Sequence, residues 1–127
     1  MKTYTYLSLF ILSFTFLNAS VYKEITISEL QKEISNGTVG LIDVNGAKSF
    51  AKAHIPGAID FSSKGKNLEN LLPSNKDTLV VAYCGGPSCR AYLRGAKAAS
   101  ELGYKNVRHL SAGISGWKKA GLKVESK

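Results

Sequence analysis

The residues with the most chemical content lie in one stretch, Thr78-Leu79-Val80-Val81-Ala82-Tyr83-Cys84-Gly85-Gly86-Pro87-Ser88-Cys89-Arg90. A β-branched, apolar run stops at a cysteine, two glycines and a proline follow, and an alanine-rich helical segment comes next. That order places a thiol at the carboxyl end of a buried strand, in a loop leading to a helix N-terminus. In α/β sheets this is where ligands bind. Both a helix N-terminus and the free N–H groups of a tight loop favour negative charge. Cys84 is therefore expected to ionise below the ordinary thiol value of about 8.5 and to act as a nucleophile. Arg90 stands at the start of the following helix, where an anion would be held. Cys89 has two readings, a small packing residue or a resolving thiol for an oxidised or persulfidated Cys84.

These are the only two cysteines, five positions apart. An even pair in an exported protein points to a disulfide. A bridge this short contributes little global stability, so a Cys84–Cys89 bond is expected to protect or switch a thiol. The spacing is not C-x-x-C and the two histidines lie far off in sequence, which argues against zinc. Asp43 could serve as a general acid, but a carboxylate at a strand end before Asn-Gly is expected to satisfy backbone donors instead. His54 is assigned a hydrogen bond to a neighbouring loop and Trp117 a packing role. Gly113 is assigned a turn close to the active loop.

The elements around these residues alternate. Val21 to Ile27 reads as a strand. Ser28 to Gln31 has the form of a capping box opening a helix with Leu30 and Ile34 on one face, stopped by Asn36-Gly37. Val39 to Val44 is a buried strand, Ser49 to Ala53 a brief helix and Ala58 to Phe61 a short strand. Asn67 to Leu72 supplies a helical turn or two before Pro73. Leu79 to Tyr83 is the strongest strand. Leu93, Ala96, Ala99 and Leu102 recur at helical spacing within Arg90 to Leu102, and Gly103 is the C-cap. Asn106 to Leu110 is the last strand, and Ile114 to Ala120 a final helix ended by Gly121. Alternation of this kind predicts an α/β fold, a parallel sheet covered by helices on both faces.

The chain has 127 residues, which indicates one domain with a short appendage. Lys2 is the only charge before Lys23, Leu7 to Leu17 is mostly Leu, Ile and Phe, and small residues follow at Ala19 and Ser20. This is the pattern of a signal peptide, residues 1–19, cleaved after Ala19, with residues 20–127 as the mature domain. An uncleaved anchor is the alternative, because Thr3 to Tyr22 carries no charge. The formal net charge is +8, but the lysines are scattered and no dense basic block with interleaved aromatics occurs, so nucleic acid is not an expected partner.

Over roughly Tyr22 to Glu125 the chain resembles the rhodanese-like sulfurtransferase family. The pieces carrying the likeness are Leu41-Ile42-Asp43-Val44, Ser49-Phe50 through His54-Ile55-Pro56-Gly57-Ala58-Ile59, and Val80-Val81-Ala82-Tyr83-Cys84. Leu102-Gly103-Tyr104-Lys105-Asn106-Val107, Gly113-Ile114-Ser115-Gly116-Trp117 and Ala120-Gly121 complete it. The resemblance implies a three-layer fold with about five parallel strands and a monomeric protein similar to periplasmic thiosulfate sulfurtransferases. It implies that Cys84 takes a sulfane sulfur from a small anionic donor and passes it to cyanide, a thiol or a sulfur-relay protein, with no metal or cofactor. Backbone groups of Gly85, Gly86, Pro87, Ser88 and Cys89 would form the anion cradle, and Arg90 would orient the donor.

The loop departs from the common family pattern. The span from Cys84 to Gly103 is about two residues longer than the common family spacing, and Cys84-x5-Arg90 also fits the phosphatase-type loop found on the same fold, which admits phosphate or arsenate. Tyr83, however, replaces the histidine that precedes the nucleophile in those phosphatases. Asn45 stands where arginine is common, and Ala53 where glycine is common. A non-catalytic binding or relay module is the remaining alternative.

Overall fold

The computed structural model describes residues 22–127. The predicted leader, residues 1–19, lies outside the described residues, as does Val21 at the head of the first predicted strand. In chain order the elements are β1 (Lys23–Glu24), α1 (Ile27–Asn36), β2 (Gly40–Asp43), α2 (Ala47–Lys52), β3 (Ile59–Asp60) and α3 (Phe61–Lys64). A 3-10 turn (Gly65–Asn67) then leads to α4 (Leu68–Leu71), β4 (Val80–Tyr83), α5 (Tyr92–Glu101), β5 (Val107–Leu110) and α6 (Gly113–Lys119). The five strands form one sheet in the order β1-β5-β4-β2-β3, and every pairing is parallel. This is the α/β architecture expected from the alternation of elements.

β4 is the central strand, and all four of its residues are buried. Successive side chains of a strand face opposite ways. Val81 and Tyr83 accordingly join Leu30, Leu41, Ile55 and Trp117 on one face, whereas Val80 and Ala82 join Ile42, Leu68, Leu72, Ala96 and Ala99 on the other. Helices α1 and α6 cover the first face; α4 and α5 cover the second. With both faces covered, a strand reads as a continuous apolar run. The chain places β2 and β3 to one side of β4, and β5 and β1 to the other. The carboxyl end of β4 is thus a point where strand order reverses, the crevice in which open α/β sheets bind ligands.

Several boundaries differ from the sequence expectation, each for a local reason. Helix α1 is capped by Thr26, not Ser28: Thr26 Oγ1 accepts from the Glu29 N–H at 3.1 Å, and Glu29 Oε2 accepts from the Thr26 N–H at 2.9 Å. The Thr26 pair brings a carboxylate to the first helical turn, where the helix dipole favours it; Gln31 offers no charge there. That hydrogen bond from Thr26 also holds the Glu29 carboxyl below its ordinary range. The first strand shortens to two residues because the chain turns into this cap, although the Ile25 N–H still donates to the His109 carbonyl at 2.8 Å. The predicted Asn67–Leu72 turns are present as α4, and an additional helix, α3, opens at Asp60 and takes Phe61 from the end of the predicted strand. The Asp60 Oδ1 accepts from the Ser62 N–H and hydroxyl, and its Oδ2 from the Ser63 hydroxyl.

Helix α5 sits close to the sheet because its inner face is small. Ala96 and Ala99 are fully buried, and a Cβ at Gly95 would lie 2.9 Å from the Cγ2 methyls of both Ile42 and Val44. This short separation sets the distance from β4 to the start of α5, and hence the span that the intervening loop must bridge. Gly95→Val should overpack the contact and lower unfolding free energy by about 1–3 kcal/mol, measured by urea denaturation of the reduced protein.

Candidate active site

Cys84 follows directly on β4 and is 3 % exposed. The chain then makes a loop from Gly85 to Ala91 in which Gly85, Gly86 and Cys89 are half-buried while Pro87, Ser88 and Arg90 are exposed. The Cys89 N–H closes a turn on the Gly86 carbonyl at 3.0 Å. Among the described residues, the N–H groups of Gly85, Gly86, Ser88 and Arg90 are given to no carbonyl. Helix α5 begins at Tyr92, two residues later than expected, with Ala91 as an N-cap whose side chain bonds nothing. Arg90 therefore lies in the loop, and its carbonyl accepts from the Leu93 N–H at 3.1 Å. Cys84 and Cys89 are joined as a disulfide, their Cα atoms 6.3 Å apart.

The start of α6 holds the loop from behind. The Ile114 N–H donates to the Cys84 carbonyl at 2.9 Å, and the Ser115 N–H to the Gly85 carbonyl at 3.0 Å. Two orphan donors of a helix N-terminus thereby satisfy two loop carbonyls. Such closeness requires glycine at 113. Its φ is +61°, and a Cβ there would stand 2.6 Å from the Cys84 carbonyl oxygen and 2.7 Å from the Gly86 nitrogen. The expectation of a turn beside the active loop is met here in backbone contact.

Beneath the loop lies a buried polar floor. Asp43 is fully buried, and its Oδ1 accepts from the Asn45 N–H at 2.8 Å, the backbone role expected of it. Burial holds its carboxyl above the usual range, against the pull of the Asn45 and Tyr83 hydrogen bonds and of His54. Burial, reinforced by the Asp43 charge, pushes the Tyr83 phenol well up. The Tyr83 hydroxyl accepts from the Ile55 N–H at 3.0 Å, which ties the last residue of β4 to the loop before β3. His54 stacks on Phe50 with ring centroids 3.7 Å apart and pairs through Nδ1 with the Phe50 carbonyl at 2.7 Å. On the other flank His109 stacks on Tyr92 at 4.3 Å, and burial pushes its imidazole below the ordinary value.

A cavity of about 420 Å³ is lined by Val44, Asn45, Gly46, Phe61, Ser62 and Arg94. Asn45 also faces the active loop, its Oδ1 lying 3.7 Å from where a Gly85 Cβ would stand. Its Nδ2 is buried without a hydrogen-bond partner among the described residues. Arg94 is exposed, and it also lines this cavity. Asn45 had no chemical role in the sequence reading, and its position after a strand-end Asp was the only signal available.

The rhodanese-like domain family matches residues 26–120, a span that includes the strand, the loop and the α6 clasp. The chain belongs to the rhodanese-like family. It is 28% identical over 106 residues to thiosulfate sulfurtransferase GlpE of Haemophilus influenzae, covering 83% of this chain and 96% of that one. It is 37% identical over 103 residues to arsenate reductase 2.1 of Oryza sativa subsp. japonica, covering 71% and 62%. A solved thiosulfate sulfurtransferase from Pseudomonas aeruginosa shares the fold, with a TM-score of 0.67 at 22% identity over 83% of this chain and 20% of that one. The chain spans about half the length of several curated relatives that it matches.

Within this rhodanese-like frame the structure brings Cys84 through Arg90 into one loop at the end of the central strand. Asp43, Tyr83 and Ile55 meet below it. Two tests follow. Gly113→Ala should lose about 1–3 kcal/mol of stability from its positive φ alone, read by thermal or urea unfolding. The same variant should show a changed alkylation rate at Cys84 in reduced protein. The second concerns Asp43: its folded carboxyl keeps a proton that the unfolded chain has already released, so stability falls as pH rises through that interval. Asp43→Asn should therefore gain stability relative to the unsubstituted chain as pH is raised from below 4, roughly the unfolded carboxylate value, to neutrality. Equal pH profiles for the two proteins would contradict this.

Proposed function

We propose that this rhodanese-like protein is an exported sulfurtransferase in which Cys84 carries a sulfane sulfur between a small anionic donor, such as thiosulfate, and cyanide or a thiol. One observation carries the reading: a nearly buried sulfur at the end of the central strand, followed by a loop whose N–H groups at Gly85, Gly86, Ser88 and Arg90 are not spent on other carbonyls. Main-chain donors of this kind favour a thiolate and, after transfer, an anionic persulfide. The likeness to the Haemophilus sulfurtransferase over 96% of its length supports the reading. The apolar leader pattern and the Cys84–Cys89 disulfide both fit an oxidising compartment outside the cytoplasm.

In the reaction, the Cys84 thiolate attacks the outer sulfur of thiosulfate, the S–S bond of the donor breaks, and sulfite leaves with the bonding pair. The acceptor then attacks the outer sulfur of the persulfide and Cys84 departs as thiolate, giving thiocyanate when the acceptor is cyanide. Arg90 is an exposed residue of the loop and Arg94 lines the cavity beside Asn45; on this reading their two guanidinium groups and the unpartnered Asn45 amide are assigned to the sulfonate end. Because the disulfide occupies the nucleophile, the active form is the reduced one.

A second reading, hydrolysis of a phosphate ester or reduction of arsenate, draws on the six-position step from Cys84 to Arg90 and on the rice relative named as an arsenate reductase. The two readings separate by rate. Reduced protein should form thiocyanate from thiosulfate and cyanide faster than it hydrolyses an aryl phosphate or reduces arsenate; the opposite order would favour the second reading. Cys84→Ala should lose on the order of a thousandfold or more of the sulfur-transfer rate with an unchanged far-ultraviolet circular dichroism spectrum. Thiocyanate formation surviving in that variant would remove Cys84 from the chemistry. Cys89→Ala should keep a measurable part of the thiosulfate:cyanide rate.

A further inference from the structure

The second cysteine is left over by this reaction, since transfer to an external acceptor needs only Cys84. Its position is not that of a packing residue. Cys89 is half-buried, its own N–H is turned back on Gly86, and it lies two residues before the N-cap of α5, an end that no side chain caps. Its sulfur reaches the sulfur of Cys84 and bonds to it, across a Cα separation that disulfides ordinarily span. The loop therefore delivers one thiol to the inner sulfur of the other.

We propose that Cys89 is a resolving residue that gives this protein a second activity, release of the carried sulfur as sulfide at the expense of an external dithiol. The proposal rests on the sulfurtransferase reading. In the step, Cys89 attacks Cys84 Sγ in the persulfide. A bond forms between Cys89 Sγ and Cys84 Sγ, the persulfide S–S bond breaks, and the outer sulfur leaves with the bonding pair. That leaving sulfur takes the Cys89 proton, so Cys89–SH and Cys84–S–S⁻ become the disulfide and HS⁻. Cys89 Sγ is oxidised from thiol to disulfide and the carried sulfur is reduced from persulfide to sulfide, while Cys84 Sγ exchanges one S–S bond for another. A dithiol reductant then exchanges with the Cys84–Cys89 bond, returns both thiols and leaves as its own cyclic disulfide. Summed over the cycle, thiosulfate and a dithiol give sulfite, sulfide and a disulfide.

The geometry selects between two outcomes of an internal attack. Attack at the inner sulfur requires the Sγ–Sγ contact that the structure contains. Attack at the outer sulfur, which would move the persulfide onto Cys89, requires Cys89 Sγ to stand about 2 Å farther out, one S–S bond length. Proximity also favours the internal thiol over a dilute external one, because two groups held on one loop react as if at very high concentration. In the absence of a competing acceptor, carried sulfur is then shed as sulfide instead of being stored.

The test uses the full chain, reduced and freed of reductant without air, then mixed with equimolar thiosulfate at neutral pH. Sulfite, sulfide and intact mass are followed together. The unsubstituted protein should release roughly one sulfide per chain and end as the disulfide. Cys89→Ser should release sulfite, gain roughly 32 mass units as a persulfide, and yield no sulfide until a thiol is added. Cys89→Ala repeats the measurement should the serine variant fold poorly. If neither variant takes up sulfur nor releases sulfite, the sulfurtransferase reading itself fails. If both variants take up sulfur but the unsubstituted protein keeps its persulfide, on Cys84 or transferred to Cys89, the resolving step is overturned while the sulfurtransferase reading stands. Sulfide release from the variants at the unsubstituted rate would overturn it as well.

Discussion

The path of the backbone at residues 84–86 governs what the Cys84 sulfur can do, and that path is fixed by contact with Gly113. Two carbonyls of this segment, those of Cys84 and Gly85, are claimed by the first N–H groups of α6. With its acceptors tied down on one side, the loop keeps donors at Gly85, Gly86, Ser88 and Arg90 uncommitted. A buried carbonyl left without a partner costs as much as a lost hydrogen bond or more, so the clasp satisfies the loop and also sets its orientation. Only a residue without a Cβ permits the approach, at a φ that other residues seldom adopt. A glycine some thirty residues downstream of Cys84 thus belongs to the candidate site as a constraint on its backbone.

The floor beneath Cys84 is polar and buried. Asp43 lies next to the carboxyl end of β4; burial raises its carboxyl above the ordinary range, and its Oδ1 is engaged by the Asn45 N–H. Tyr83, the residue before the nucleophile, contributes no competing proton source, since burial and Asp43 push its phenol far from neutrality. Its hydroxyl instead accepts from Ile55 and anchors the strand end. Tyr83, which departs from a phosphatase-like pattern at this point, is thereby accounted for as a structural member of the floor.

How much of this was legible in the sequence depended on whether the interaction was local. The central strand and the placement of Cys84 followed from a continuous apolar run ending in Cys-Gly-Gly, because burial on both faces leaves that signature. Gly103 and Gly121 were legible as helix stops, and both adopt positive φ. The α1 cap was misread by two residues because Ser28–Gln31 and Thr26–Glu29 share one pattern and only the charge on Glu29 separates them. The Asp43–Tyr83–Ile55 floor joins residues up to 40 positions apart on different elements, and no periodicity reports such a meeting. The same holds for Asn45 and Arg94, which share a cavity only once β2 and α5 have packed. Gly95 was hidden inside the Leu/Ala stripe, although it makes the closest approach of α5 to the sheet.

The two sulfurs raise a question of purpose that stability does not answer. A bridge across five positions closes so small a loop that its effect on the unfolded chain is at the low end for disulfides. The fold already has apolar clusters on both faces of a five-stranded sheet, and the loop is clasped by α6 without help from the bond. In the proposed sulfurtransferase reading, the link also removes the nucleophile on which the reaction depends. A feature that adds little to the fold and silences the chemistry is better understood as a stage in that chemistry than as a staple. On the proposal that Cys89 resolves a Cys84 persulfide, its formation is coupled to the departure of the carried sulfur, and its reduction to the next turnover.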